Sequence, residues 1–166
     1  MTTPDSAPPT PVDWRNLIQA GRDLLNPQQL GRLPTDEHVR RAVSNIYYAL
    51  FHALAESNAS ALIGSPHDAL TAIAWSRVYR GLDHTTARRE LLRHRQEFSV
   101  QARDFADAFA DMQQFRHTAD YDHNAVIPIN QVSARLDDTE GTILNYLQAA
   151  LSERIYIATL TLIRPR

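Results

Sequence analysis

The chain has 166 residues, of which 43% are hydrophobic and 22% charged, a balance typical of one folded globular domain. Its 17 basic and 19 acidic side chains exclude a global attraction for nucleic acid, so any such contact must come from a local patch. The absence of cysteine excludes disulfides and thiolate metal sites, and no apolar run is long enough to predict a membrane span. We therefore expect a cytoplasmic domain.

The amino-terminal stretch, residues 1–12, predicts a disordered lead-in. It has no apolar run and no basic start of the kind that a signal peptide needs, and it is rich in proline. The folded domain is therefore expected to span residues 13–163.

Helix punctuation predicts two long amphipathic helices in the first part of the chain. The first begins near Asp13 and ends around Asn26, where spacings of three and four put its large apolar residues on one face. The second has Thr35 or Asp36 as its N-cap and ends at Gly64.

The helices that follow are predicted from caps and breaks. Ser65-Pro66 begins a third helix that ends at Gly81, and a short helix covers residues 86–95. Ser99 caps a long helix that continues to about Tyr121. A single last helix then follows the break at residues 124–128. The sequence therefore predicts an all-α fold, an up-down bundle of four or five amphipathic helices to which the short helix is added.

The second helix carries a run of small and aromatic residues, RRAVSNIYYALFHA, at positions 40–53. Its alanines allow close helix packing, and its aromatic rings are interpreted as core side chains: Tyr47, Tyr48 and Phe51. His52 lies on a ridge with Asn45 and Tyr48 that either lines a cleft or faces water, so it is a supporting candidate.

The long helix before the break carries polar residues at positions where an apolar stripe would continue. The 4-3 rhythm of Phe105, Phe109 and Met112 extends to Arg116, Ala119 and His123. If the helix persists, Arg116 and His123 share one face about 10 Å apart. Asp120 lies four residues after Arg116 and is placed to pair with it.

These two segments together resemble the HEPN (higher eukaryote and prokaryote nucleotide-binding) superfamily. Its signature is an Arg followed four to six residues later by a His, often with a polar residue directly after the Arg. Here Arg116 is followed by His117 and, after six intervening residues, by His123. The resemblance covers roughly residues 13–160 and implies a HEPN-like helical bundle.

The resemblance also implies a homodimer in which two signature helices meet at one cleft, which in active relatives cuts RNA without a metal. It implies that His123 is the general acid or base, that Arg116 stabilises the phosphate and that His117 orients or supplements them. The chemistry fits these residue types, because one group must take the proton of a ribose 2′-hydroxyl and a cation must stabilise the charge on phosphorus. No cofactor or metal is implied.

Regulation by a partner protein is a further implication. In some relatives a nucleotidyltransferase antitoxin attaches AMP to a Tyr two places after the signature His. Position 125 is Ala in this chain, and Tyr121 precedes His123 instead, so Tyr121 is a supporting candidate whose modification stays open.

Arginines are concentrated in residues 77–95, and three of them are candidates for binding nucleic acid: Arg88, Arg89 and Arg93. The alternative interpretation is a solvated helix face.

Two functions therefore stay open on sequence grounds. One is a toxin-like, metal-independent endoribonuclease that acts as a dimer. The other is a non-catalytic dimer that binds nucleotide, nucleic acid or a partner nucleotidyltransferase, with Arg116, Asp120 and His123 as a structural polar network.

Overall fold

A computed structural model of the protein describes residues 11–163, and it is helical without strands over that range. The expected disordered lead-in lies outside the described residues, apart from Pro11 and Val12. Between residues 11 and 163, no helix combines the length and the apolar character that crossing a lipid bilayer requires.

The described residues form eight α-helices and one short 3-10 turn. They are α1 (Trp14–Leu25), α2 (Pro27–Leu30), α3 (Asp36–Ile63), α4 (Ala69–Arg80), α5 (His84–His94), the 3-10 turn (Arg95–Glu97), α6 (Val100–Tyr121), α7 (Ile129–Leu147) and α8 (Leu151–Leu162). The all-α prediction is confirmed, whereas the expected number of four or five helices was too low.

Most of the predicted helix ends are confirmed, because their caps act as expected. The Asp13 carboxylate accepts a hydrogen bond from the amide of Arg15 at the start of α1. Thr35 is the N-cap of α3, and Gly64 ends that helix with a positive φ of 79°. Ser99 caps α6 by accepting a hydrogen bond from the amide of Ala102.

The predicted start of the third helix at Ser65-Pro66 was wrong. Asp68 is the N-cap of α4, and its carboxylate accepts a hydrogen bond from the Thr71 amide at 2.7 Å. A carboxylate is a strong cap for the exposed amides of a first turn, so the helix begins after it. Two large apolar side chains of α4 are exposed, since Leu70 is 77% and Ile73 is 53% accessible to solvent.

The single last helix was also wrong, because residues 148–150 separate α7 from α8. Ala150, the N-cap of α8, has φ −53° and ψ 141°, so the helical backbone is interrupted there. The turn brings two different faces inward: α7 packs on α1, α3 and α6, whereas α8 packs on α3 and α5. Burial of both faces outweighs the continuous helical periodicity of the sequence.

Helix α3 is the centre of the fold. It contacts α1, α4, α6, α7 and α8, and the three alanines expected to permit close packing are fully buried: Ala42, Ala49 and Ala53. Close approach through small side chains leaves room beside them for large ones, such as the fully buried Tyr47 and Phe109. The two segments singled out in the sequence therefore lie on neighbouring helices, α3 and α6.

Candidate active site at the end of helix α6

The apolar stripe of α6 continues into polar residues as the sequence predicted. Phe105, Phe109 and Met112 are buried, and one turn later the side chain of Arg116 keeps 27% of its exposure. Ala119 follows on the same stripe and is buried. Arg116 is thus held at the boundary between the core and solvent.

Asp120 orients Arg116 and connects it to α3. The Nε of Arg116 donates to Oδ2 of Asp120 at 3.0 Å, which confirms the predicted pairing. The other carboxylate oxygen, Oδ1, accepts a hydrogen bond from the Ser44 hydroxyl at 3.1 Å. A guanidinium held by a carboxylate that is itself fixed has little rotational freedom.

Two aromatic rings of α3 contact the Arg116 guanidinium through their faces. Its central carbon lies 4.6 Å from the ring centroid of Tyr48 and 5.3 Å from that of Tyr47. This geometry is a cation–π contact. The bond to Asp120 uses Nε. The two terminal nitrogens of Arg116 have no hydrogen-bond acceptor among residues 11–163. Tyr48 was assigned to the core from sequence, and its contact with Arg116 was not foreseen.

His123 does not share a helical face with Arg116, because the condition of that expectation, a helix that persists to His123, is not met. Helix α6 ends at Tyr121, and Asp122 has an extended backbone with φ −94° and ψ 98°. The Asp122 carboxylate accepts a hydrogen bond from the Asn124 amide at 3.0 Å, which closes a local turn that competes with another helical turn. His123 is exposed in this turn.

Arg40 holds the segment that carries His123. Its terminal nitrogens donate to three backbone carbonyls beyond the middle of α6: Ala119 at 2.6 Å, Asp122 at 3.0 Å and Ala125 at 2.9 Å. Its Nε donates to Asp36 within α3. Sequence reasoning missed Arg40, although it lies one turn before Ser44 on the face of α3 that carries Tyr47.

His117 lies on a different face of α6 and faces α5. Its ring centroid is 4.9 Å from that of Tyr121, which is 69% exposed. An open groove of about 440 Å³ runs between the two helices, lined by Thr85, Arg88, Arg89, Gln113, Gln114 and His117. The structure thus brings His117 together with two of the predicted nucleic-acid-binding arginines.

Arg93 is not part of that groove. It lines a second cleft of about 380 Å³ between α5 and α8, whose other residues are Glu90, His94, Thr159, Leu160 and Ile163. Arg89 donates through its Nε to the buried carboxylate of Glu90 at 2.7 Å. The predicted arginine patch is therefore divided between two surfaces.

Two half-buried histidines lie behind the aromatic rings. Nδ1 of His52 is 2.7 Å from the Tyr79 hydroxyl, and its ring stacks on Tyr48 with centroids 6.2 Å apart. Nδ1 of His84, which was not a candidate, is 2.6 Å from the Tyr47 hydroxyl. His52 thus contacts Tyr48, which in turn contacts Arg116.

Burial lowers the pKa values of both histidines below their usual range. The positive charge of Arg116 lowers the pKa of His84 further, while Asp83 opposes the shift. The pKa of His52 is lowered by burial and then by His84. Both rings are therefore held neutral near pH 7, as buried hydrogen-bonded imidazoles usually are.

The groups collected at the end of α6 can bind anions and transfer protons. Guanidinium groups bind phosphate oxygens, and imidazoles exchange protons near neutral pH. In the part of the chain that the structure describes, no three His, Asp or Glu side chains come together in the manner of metal ligands.

No family model, curated protein or solved structure matches this chain. The resemblance to the HEPN superfamily accordingly rests on the residues quoted for it, in the ranges 40–53 and 116–123.

Proposed function

We propose that this chain is a metal-independent endoribonuclease of the HEPN toxin type and that it acts as a homodimer in the cytoplasm. The observation that carries the proposal is the state of Arg116. Its guanidinium is fixed by Asp120 and Tyr48 while both terminal nitrogens stay without an acceptor in residues 11–163. A fixed cation with unused donors is the preorganised group that developing phosphorane charge requires.

The reaction is transfer of the phosphoryl group to the neighbouring 2′-hydroxyl. A general base removes the proton of that hydroxyl as its oxygen bonds to phosphorus, and the bond from phosphorus to the 5′-oxygen breaks. A general acid returns a proton to the leaving oxygen, so the products are a 2′,3′-cyclic phosphate and a 5′-hydroxyl. His123 has the residue type and the exposure for one of these proton transfers.

The groove between α5 and α6 supports RNA as the substrate. Arg88 and Arg89 line it opposite His117, and although Arg89 is paired with Glu90, no carboxylate is among the side chains that line the groove. Such a groove attracts a phosphate backbone even though the chain as a whole is slightly acidic. The exposed ring of Tyr121 beside His117 offers a base a surface on which to stack.

One observation favours the second candidate, a non-catalytic dimer that binds nucleotide, nucleic acid or a partner nucleotidyltransferase. Because α6 ends at Tyr121, His123 is not on the helical face of Arg116. A chain that only binds an anion needs the cation but not a proton-transfer group beside it.

The deciding experiment is cleavage of total RNA in EDTA by the wild type and by Arg116→Ala and His123→Ala. The matched controls are Arg41→Ala and His67→Ala, which change exposed residues of the same types elsewhere. We expect both site variants to lose cleavage, both controls to retain it, and cyclic phosphate ends on the products.

Intact RNA with a folded wild-type dimer would instead select the binding function. Light scattering after gel filtration measures the mass of the particle, and an equilibrium of monomers alone would contradict the dimeric part of the proposal.

A further inference from the structure

The contacts of Arg40 are unusual for an arginine on a helix surface. Its side chain is only 18% exposed, and its guanidinium donates to one carboxylate and three backbone carbonyls. A charge withdrawn from water to this extent needs such a complete set of partners. The partners lie on two elements, α3 and the end of α6, so the guanidinium joins them.

The three carbonyls belong to the place where α6 stops. The last carbonyls of a helix have no partner within it, and a cation there also complements the helix dipole. The bond to Ala119 satisfies one of these carbonyls, while the bonds to Asp122 and Ala125 lie on either side of His123. Arg40 therefore fixes the backbone before and after the histidine.

The side chain of His123 does not fix itself. It forms no hydrogen bond with the described residues and is exposed, so the backbone of the turn decides where the imidazole lies. Within the turn, the amide of Ala125 reaches the carbonyl of Asp122 at a long 3.3 Å. The bond from the Asn124 amide to the Asp122 carboxylate closes the turn locally, and the bonds from Arg40 to the Asp122 and Ala125 carbonyls connect it to α3.

We propose that Arg40 is a positioning residue that sets the place of His123 relative to Arg116. The proposal rests on the proposed function only in the role it gives to His123. Arg40 acts from α3, the helix that also supplies Tyr48 and Ser44 to the Arg116 site. Helix α3 thereby fixes the position of the His123 imidazole relative to the Arg116 guanidinium.

The test compares Arg40→Met, which keeps the apolar stem without donors, with Arg40→Lys, which retains the charge on a single nitrogen. Arg41→Met is the matched control, because the adjacent arginine is exposed. Three measurements are made: steady-state kinetics, which give kcat and KM for a defined RNA in EDTA, amide hydrogen exchange over residues 119–127, and the NMR chemical shifts of the His123 ring.

In Arg40→Met we expect exchange in 119–127 to rise by roughly 10-fold or more, because the segment opens locally. We expect kcat to fall by about 100-fold with little change in KM, since misplacement of a proton-transfer group by about 1 Å has such an effect. Arg40→Lys should lie between the methionine variant and the wild type, because one nitrogen cannot bridge three carbonyls. The NMR chemical shifts of the His123 ring should change in Arg40→Met and stay unchanged in Arg41→Met.

Wild-type exchange over 119–127 in Arg40→Met would overturn the proposal, as would faster exchange with unchanged kcat. A wild type that cuts no RNA would refute the proposed function, and the exchange and the His123 resonances would then decide the role of Arg40. If Arg40→Met fails to fold, the same readouts on Arg40→Lys decide.

Discussion

The guanidinium carbon of Arg116 lies 4.6 Å from the ring centroid of Tyr48, on a neighbouring helix. The ring also stacks on His52, with centroids 6.2 Å apart, so a second side chain helps to hold it. A side chain assigned to the core from sequence is thus the support of the candidate catalytic cation.

Replacing Tyr48 by Ala removes the ring under Arg116, whereas Tyr48→Phe keeps it. A partly desolvated cation–π contact contributes about 1–2 kcal/mol, so we expect kcat/KM for RNA to fall about 5- to 30-fold in the alanine variant. The phenylalanine variant is the matched control and should stay close to the wild type. Equal activities of the two variants would show that the ring does not act through Arg116.

Arg88→Gln should reduce the salt dependence of RNA binding. Each phosphate contact with a single strand contributes about 0.7 to the slope of log K against log salt, so the slope should decrease by about that amount. Affinity for a 2′-O-methyl oligonucleotide, which has no 2′-hydroxyl to react, is measured between low and moderate salt. Arg32→Gln, at an exposed position before α3, is the control. An unchanged slope for Arg88→Gln would favour the interpretation of α5 as a solvated helix face.

The stability of the fold should decrease as the pH is lowered from 7.5 to 5.5. The pKa of His84 is lowered in the folded protein by burial and by Arg116, and that of His52 by burial and by His84. The unfolded chain therefore takes up more protons below about pH 6.5, the usual pKa of histidine, and the free energy of unfolding falls there. Well above that pH, where the histidines are unprotonated in both the folded and the unfolded state, these two residues do not change the free energy of unfolding.

Urea unfolding of the double variant His52→Gln/His84→Gln over this pH range measures the effect. We expect a flatter profile than in the wild type, whereas His67→Gln, at an exposed histidine, should keep the wild-type slope. A double variant whose slope equals that of the wild type would assign the pH dependence to other groups.

Two glycines should respond to alanine in opposite directions. Gly64, at the end of α3, has φ 79° and ψ −163°, a conformation that costs a side-chain-bearing residue about 1–3 kcal/mol. Gly141 lies inside α7 with open space where a Cβ would be, so alanine there should stabilise the fold by about 0.5–1 kcal/mol. Chemical denaturation of Gly64→Ala and Gly141→Ala measures both effects. If the free energy of unfolding changed in the same direction in both variants, the prediction would be contradicted.

The sequence predicted the fold class and most helix ends because these depend on local chemistry. Asp13, Ser99 and Gly64 lie at the ends that their side chains favour. The split of the last helix was not predictable in this way. The split depends on which faces of α7 and α8 pack against other helices of the bundle. Residues 148–150 contain no capping or helix-breaking residue that would predict it.

In the candidate site, periodicity predicted the pair Arg116 and Asp120, whereas it placed His123 beside them only on the condition that the helix continued. Spacing describes a helix only as far as the helix continues, and the Asp122 turn ends it two residues too early for His123. The same periodicity offered an unused signal in α3. Arg40 and Ser44 precede Tyr47 and Phe51 at spacings of four, three and four, so polar residues extend an aromatic stripe there just as they do in α6.

The place of Arg40 near the beginning of α3 has a thermal consequence. Helix ends open before helix centres, and Arg40 lies only one turn after Asp36, the first residue of α3. On heating, the anchor of the turn at 122–125 should therefore loosen while the middle of α3 is still packed among five other helices. RNA cleavage should decline at temperatures where circular dichroism still records a fully helical protein, and the interval between the two curves measures how far the site is less stable than its scaffold.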